Sequence, residues 1–516
     1  MLMRGFAEAL LKSDEFLITC ELVPGRGHSG VSVENIQRFV DGVKEFLGVH
    51  ALSLTDNAGG NPALSADVLG AEIVHQGIDI IVHFSCKDMN RNFIESRAYA
   101  LQRSGVTNLL VVSGDYPSEG YLGLAKPVFD IDSVTAIYYL SRMNAGLPAV
   151  TARGTTRLAP TRFLLGAVVS PFKWTEAGCV MQYFKLEKKI RAGAHFVVTQ
   201  LGFDSRKLVE LRQHVRHELR SAIPLIGSVC VLGAGAAEVM HRGEVPGCYV
   251  SDGLLRQVRE EAKADDKGKA ARLERAARQV AILKGLGYRG AHLEGLNLKL
   301  EDVRAILARS AELEPRWESL LADFAFAPSR PYYYYEQGER IGPAGEPKRL
   351  RPRQTPRRRI ASARFWLGRA IHKLFFVEGT AGYRMMVRVC GYADQRERVS
   401  AALARVEHFT KRTFFSCRYC DDCALMDTFY VCPEARCPKA MRTGPCGGSR
   451  VDGKCEVYAN RDCVWSLIYW RAKNRGESEK LHYLMPPRNW KLCERGSWVN
   501  YFLKRDHSAH PLPLPK

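Results

Sequence analysis

The sequence predicts an α/β chain: a closed (β/α)8 barrel, a basic linker, and a small cysteine-rich metal-binding domain. Three observations predict it. Eight near-continuous apolar runs alternate with helix-period stretches over the first 310 residues, no GxGxxG turn follows the first run, and eight of the fifteen cysteines fall between 417 and 463. A length of 516 residues also exceeds what one core usually organises.

In chain order the expected strands are FLITCELVP from Phe16, HALSLTDN from His50, IDIIVHFSC from Ile78 and TNLLVVSGD from Thr107. FLLGAVVSP from Phe163, HFVVTQLGF from His195, PLIGSVCVL from Pro224 and GYRGAHLEG from Gly287 follow. Between them, stretches such as SVENIQRFVDGVKEFLG, NFIESRAYALQRSG and MQYFKLEKKIRAGA place apolar residues at three- and four-residue steps, the period of amphipathic helices. Strands apolar on both faces are those of a parallel sheet covered by helices, and eight of them close a barrel. Chemistry in such a barrel sits where strands end, which directs attention to Glu21, Thr55, Asp56, His83, Ser85, Asp115, Ser170, Gln200 and Glu294. Singly, the Asp of Gly-Asp-Tyr-Pro reads as a turn residue and a strand-end His as a hydrogen-bonded filler. At successive strand ends they read as a site.

The motifs TCELVPGRG, VHFSCKDMNR, GVTNLLVVSGDYP and KLEKKIRAGAHFVVTQLGFD resemble, in order and spacing, those of the methylenetetrahydrofolate reductase family, over roughly residues 1–310. The resemblance implies a flavin-containing barrel that reversibly reduces 5,10-methylenetetrahydrofolate to 5-methyltetrahydrofolate, a step of one-carbon metabolism and methionine biosynthesis. It makes Glu21 the general acid that opens the one-carbon bridge, puts Asp115 near both flavin and pterin, and sets Gln200 on the pterin edge. Thr55, His83 and Lys189 match positions that hold the flavin, FAD or alternatively FMN, and Gln182 stands where the family has a flavin-contacting acid. Ser113 and Ser170 also depart from the family pattern. The alternative for Gln182 and Lys189 is a solvated helix face. A general acid must be protonated near neutral pH, which burial of a carboxyl at a barrel mouth can achieve.

Cys417, Cys420 and Cys423 form Cys-x2-Cys-x2-Cys; Cys432, Cys437, Cys446, Cys455 and Cys463 follow, and no histidine lies between 409 and 481. Eight thiolates suffice for two four-ligand sites, and this spacing suits iron–sulfur ligation better than zinc, which stays the alternative. The glycines of GPCGG let backbone N–H groups approach thiolate sulfur. CPKAMRTGPCGG, CEVYANRDCVW and PPRNWKLCERGSWVNYFLKRDH resemble the cysteine-rich companion or C-terminal extension found with some of these reductases, over about 365–510. That resemblance implies an electron relay or a docking module for an electron-transfer protein partner.

The net charge of +20 suggests nucleic acid, but seven positive charges sit in KRLRPRQTPRRR among prolines, a linker composition. The expected division is therefore barrel 1–315, linker 316–364 and cysteine-rich domain 365–516. The four tyrosines Tyr332–Tyr335 read as packing against a neighbouring domain. No apolar run is long enough for a membrane helix and the N-terminus has no cleavage signal, so a cytoplasmic enzyme is expected. The alternatives are a folate/corrinoid methyltransferase barrel and a non-catalytic metal-stapled binding protein.

Overall fold

The computed structural model describes residues 5–336, 351–356 and 363–513. Eight parallel strands close a barrel: Leu17–Leu22, Ala51–Leu54, Ile80–Ser85, Asn108–Val112, Leu164–Val169, Phe196–Thr199, Leu225–Cys230 and Gly290–Glu294. They correspond one for one to the eight apolar runs. Neighbours in the barrel are neighbours in sequence, and closure comes from the first strand pairing with the eighth, Thr19 opposite His292.

Alternation along each strand divides the side chains between two environments. One set, including Ile18, Cys20, Leu52, Val82, Phe84 and Leu109, faces the surrounding helices in the largest core cluster. The other fills the barrel interior in layers. Leu17, Ala51, Ile81, Leu110, Leu164 and Phe196 make the lower layer, and the helix Phe6–Lys12 plugs the bottom with Phe6, Ala9 and Leu10. Phe6 is fully buried and meets Phe196 edge to face, ring centroids 5.7 Å apart. Phe6→Ala should therefore cost about 3 kcal/mol or more of stability. An unchanged denaturation midpoint would show that the plug adds nothing to the barrel.

The cysteine-rich unit packs onto the barrel. Its helix Val464–Arg475 lies against the barrel helix Glu176–Arg191, and Ala177, Val180 and Met181 share one apolar cluster with Phe429, Val431, Trp465, Ile468 and Tyr469. Tyr469 donates to buried Glu176 at 2.6 Å, and Lys473 pairs with the same carboxylate. Tyr332–Tyr335 pack into this seam: Tyr334 meets Tyr183 edge-on at 5.3 Å, and Tyr332 N–H donates to the Trp174 carbonyl at 3.0 Å. The expected linker is thus in part folded. Arg353 N–H donates to the Tyr334 carbonyl at 2.7 Å and Thr355 to Glu176 at 2.6 Å, while 337–350 and 357–362 of that segment lie outside the described residues.

Candidate functional site at the barrel mouth

Above the apolar floor the interior turns polar, because the inward position of several strands is occupied by a hydroxyl, an imidazole or a carboxyl. Thr19 and Glu21 lie two apart on the first strand, and His292 and Glu294 two apart on the eighth, so each pair shares a face. Thr19 Oγ1 is 2.7 Å from His292 Nδ1, and Ser53 Oγ is 2.8 Å from His83 Nε2. Each ring thus has one nitrogen held by a strand hydroxyl. A carboxylate oxygen of Glu21 lies within 4.8 Å of a nitrogen of each ring. His292 Nε2 is buried without a hydrogen-bond partner and lies 3.9 Å from both Glu21 Oε2 and Glu294 Oε1.

Burial holds the His83 pKa down to about 4, so this ring is neutral. Burial also opposes charge on His292, but the neighbouring carboxylates of Glu21 and Glu294 raise its pKa. For Glu21, burial pushes up while His292 and His83 pull down, and the histidines win: its pKa falls below the ordinary carboxyl value. Burial together with the Glu21 charge pushes Glu294 up to about 7. The expectation that burial keeps Glu21 protonated is therefore corrected. Two imidazoles stabilise its anion, and the carboxyl that keeps a proton near neutrality is its neighbour.

The other residues singled out from the sequence surround this centre. Thr55 is buried at the end of the second strand. Asp115 accepts from Gly59 N–H at 2.8 Å, joining two loops of the mouth, and Gly114 before it has φ +83°, where a Cβ would come within 2.3 Å of Ser85 Oγ. Only glycine suits that turn. Gln200 follows the sixth strand and its side-chain oxygen accepts from Leu201 N–H at 2.9 Å. Asp56 is engaged by Arg97 at 2.8 Å, a structural ion pair, and Ser170 Oγ is buried without a partner.

Gln182 and Lys189 do not occupy a solvated face; both are buried. Their helix is covered by the segment Thr443–Ser449, which runs along it with its carbonyls toward the helix. Gln182 Nε2 donates to the Cys446 carbonyl at 2.8 Å, Lys185 to Gly444 at 3.2 Å and Lys188 to Thr443 at 2.8 Å. Lys173, from the loop after the fifth strand, donates to Gly447 and, at 2.8 Å, to Ser449. Thr443 is anchored on Asp132 through N–H and hydroxyl at 2.9 and 2.6 Å, and Lys439 donates to the Gly114 carbonyl at 2.8 Å. Lys189 donates to the Val168 carbonyl. Burial lowers the pKa of Lys188 and of Lys189 to about 7.

The eight clustered cysteines separate into two groups. Cys417, Cys420, Cys423 and Cys432 converge beside Glu407 and Lys411; Cys437, Cys446, Cys455 and Cys463 line a cavity of about 580 Å³ that Cys432 also reaches. The second group is the one joined to the barrel mouth, through Cys446. Backbone N–H groups point at the sulfurs: Tyr419 at Cys417 (3.3 Å), Ala435 at Cys432, Met441 at Cys437, Gly448 at Cys446 and Trp465 at Cys463. Burial pushes the Cys420 and Cys463 thiols up to about 12. Tyr419 and Asp421, between the first three cysteines, have φ of 57° and 54°, a backbone conformation costly for non-glycine residues. No three of the eight sulfurs lie within 4.8 Å of one another among the described residues.

Sequence reasoning gave no role to His292 or Lys173, read GPCGG beside its thiolate without the barrel helix that it covers, and flagged Glu294 only by position. The available signal for the first was a His and a Glu two apart in an otherwise apolar strand. Among the described residues no helix is long and apolar enough to cross a membrane.

A family model described as methylenetetrahydrofolate reductase matches residues 7–311, and one described as methylene-tetrahydrofolate reductase C terminal matches 397–491. Methylenetetrahydrofolate reductase 2 of Schizosaccharomyces pombe is 24% identical over 259 residues, 48% of this chain and 38% of that protein, so the chain spans well under half the length of this relative. Among solved structures, a Clostridium thermocellum protein described as binding two copies of 5-methyl-5,6,7,8-tetrahydrofolic acid is 12% identical, with a TM-score of 0.40 over 60% of this chain and 98% of that one. A 2,3-dimethylmalate lyase is also 12% identical, with a TM-score of 0.31 over 63% and 88%.

Proposed function

The chain belongs to the methylenetetrahydrofolate reductase family, and on that premise we propose that it reversibly reduces 5,10-methylenetetrahydrofolate to 5-methyltetrahydrofolate at a flavin in the barrel mouth. The observation that carries this is the polar centre above the apolar floor, with Glu21 facing two oriented imidazoles. Glu21 delivers a proton to N10 of the folate, the bridge C–N10 bond breaks, and the carbon is left as an iminium on N5. Asp115 and Gln200 border the same opening and orient the pterin. When bound, the flavin supplies the hydride chemistry.

The donor set suits an anionic cofactor. Lys185, Lys188 and Lys189 are buried together near Asp132, a cluster of donors that suits a phosphate. Thr55, His83 and Lys189 hold the flavin in this proposal. Gln182 is already taken by the Cys446 carbonyl, and Thr443–Ser449 covers this face of the helix. FMN therefore fits better than FAD. Flavin released from the purified protein should be the mononucleotide; release of FAD would refute the assignment.

The two cysteine groups are proposed to hold two iron–sulfur clusters, which when bound supply one-electron transfer between a protein partner and the barrel. The all-thiolate donor set in a Cys-x2-Cys-x2-Cys spacing, and the N–H groups directed at sulfur, favour clusters. Anaerobically purified protein should contain roughly eight irons per chain with matching sulfide. Zinc without iron would refute the relay. The experiment for the reaction itself is reduction of the folate by the photoreduced protein.

A further inference from the structure

Two buried carboxyls bracket one imidazole at the barrel mouth. His292 Nε2 stands 3.9 Å from Glu21 Oε2 and 3.9 Å from Glu294 Oε1, and it has no hydrogen-bond partner. Its other nitrogen is fixed by Thr19, so the ring has one nitrogen for both carboxyls. The two carboxyls differ in support. Glu21 also faces His83, whereas Glu294 has Ser228 and, opposite it on the seventh strand, the thiol of Cys230. The Cys248 thiol also lies near Glu294, and Arg275, near Cys230, is paired with Glu261. No cation faces Glu294 apart from His292 among these groups. One imidazolium cannot neutralise two buried carboxylates, so one carboxyl retains a proton.

On the basis of the proposed folate reaction, we propose that Glu294 is the proton reservoir for the acid step, recharging Glu21 through the His292 ring they share. The imidazolium gives its Nε2 proton to Glu21, and the emptied nitrogen then takes the proton of Glu294. The 3.9 Å gaps are closed by a small ring movement or a bridging water. Once Glu21 has protonated folate N10 and become a carboxylate, the transfer restores it, and Glu294 recovers its proton from solvent. One proton is consumed per folate reduced. Glu294 acts through another residue, so it is a positioning and supply residue.

The test has two arms. In the first, the infrared band of a protonated glutamic acid is followed from pH 6 to pH 8 in protein without folate. Wild type should lose the band as pH rises through about 7. Glu294→Gln should lack it, and Glu294→Asp should keep a titrating carboxyl. In the second, single-turnover oxidation of the reduced protein by methylenetetrahydrofolate is measured over the same range. The wild-type rate should fall as pH rises through that region; Glu294→Gln should be slower at pH 6.5 by about tenfold and lose this limb, with 5-methyltetrahydrofolate binding unchanged. Glu294→Asp should restore the limb. A titrating band or an unchanged limb in Glu294→Gln overturns the proposal. If wild type shows no folate-dependent oxidation at any pH, the reaction assignment fails, and the infrared arm still decides where the proton resides.

Discussion

Glu21→Gln should lower folate-dependent oxidation of the reduced protein by about 10²-fold or more while leaving flavin content unchanged. The amide preserves the shape beside His83 and His292 but cannot carry a proton to N10. Loss of the anion should also alter the two rings. Without the Glu21 charge, His292 loses one of the interactions that raise its pKa, and Glu294 loses a neighbour that raises its own. The variant should therefore show a shifted pH profile as well as a lower rate. Near-normal folate turnover would remove Glu21 from the acid step.

The second large effect lies at the other end of the chain. Cys420→Ser should lose iron and abolish activity with a protein or dye donor that enters through the cysteine-rich unit. Folate reduction by photoreduced flavin should persist, because that half-reaction does not use the outer group of Cys417, Cys420, Cys423 and Cys432. The measurement is the ratio of the two activities, taken with metal content. If the cysteines instead staple zinc, the change should lower stability and depress both activities alike, leaving the ratio where it was. Cys446 makes a poorer first choice for this test, because its carbonyl holds Gln182 and a change there would disturb both units.

The barrel was legible because each strand must be apolar on both faces while its end must be polar, and that contrast recurs in LITCEL, IIVHFS and NLLVVSGD. Thr55, His83 and Asp115 stand out in the same way, as polar breaks at strand ends. The cysteines were legible through local spacing, but their division into two groups was not, since Cys432 and Cys437 are close in sequence and belong to different groups. The surroundings of Gln182 were illegible for a related reason. Its partner lies 264 residues away, and helical periodicity cannot distinguish a face turned to solvent from one covered by a distant segment. The Phe6–Lys12 plug looked like an unremarkable N-terminus. His292 and Glu294 were hidden by their own strand, where Ala291 and Leu293 supply the apolar signal that the eye follows. The proton balance of the site depends on four side chains from three strands, and no single stretch of sequence contains it.

The central claim is that this barrel moves a hydride equivalent to a folate. Protein photoreduced without any pyridine nucleotide or protein donor should be mixed anaerobically with 5,10-methylenetetrahydrofolate, following the flavin absorbance and assaying the product. The account predicts reoxidation of the flavin with one equivalent of 5-methyltetrahydrofolate formed per flavin. A flavin that stays reduced, with the folate recovered unchanged, would contradict it.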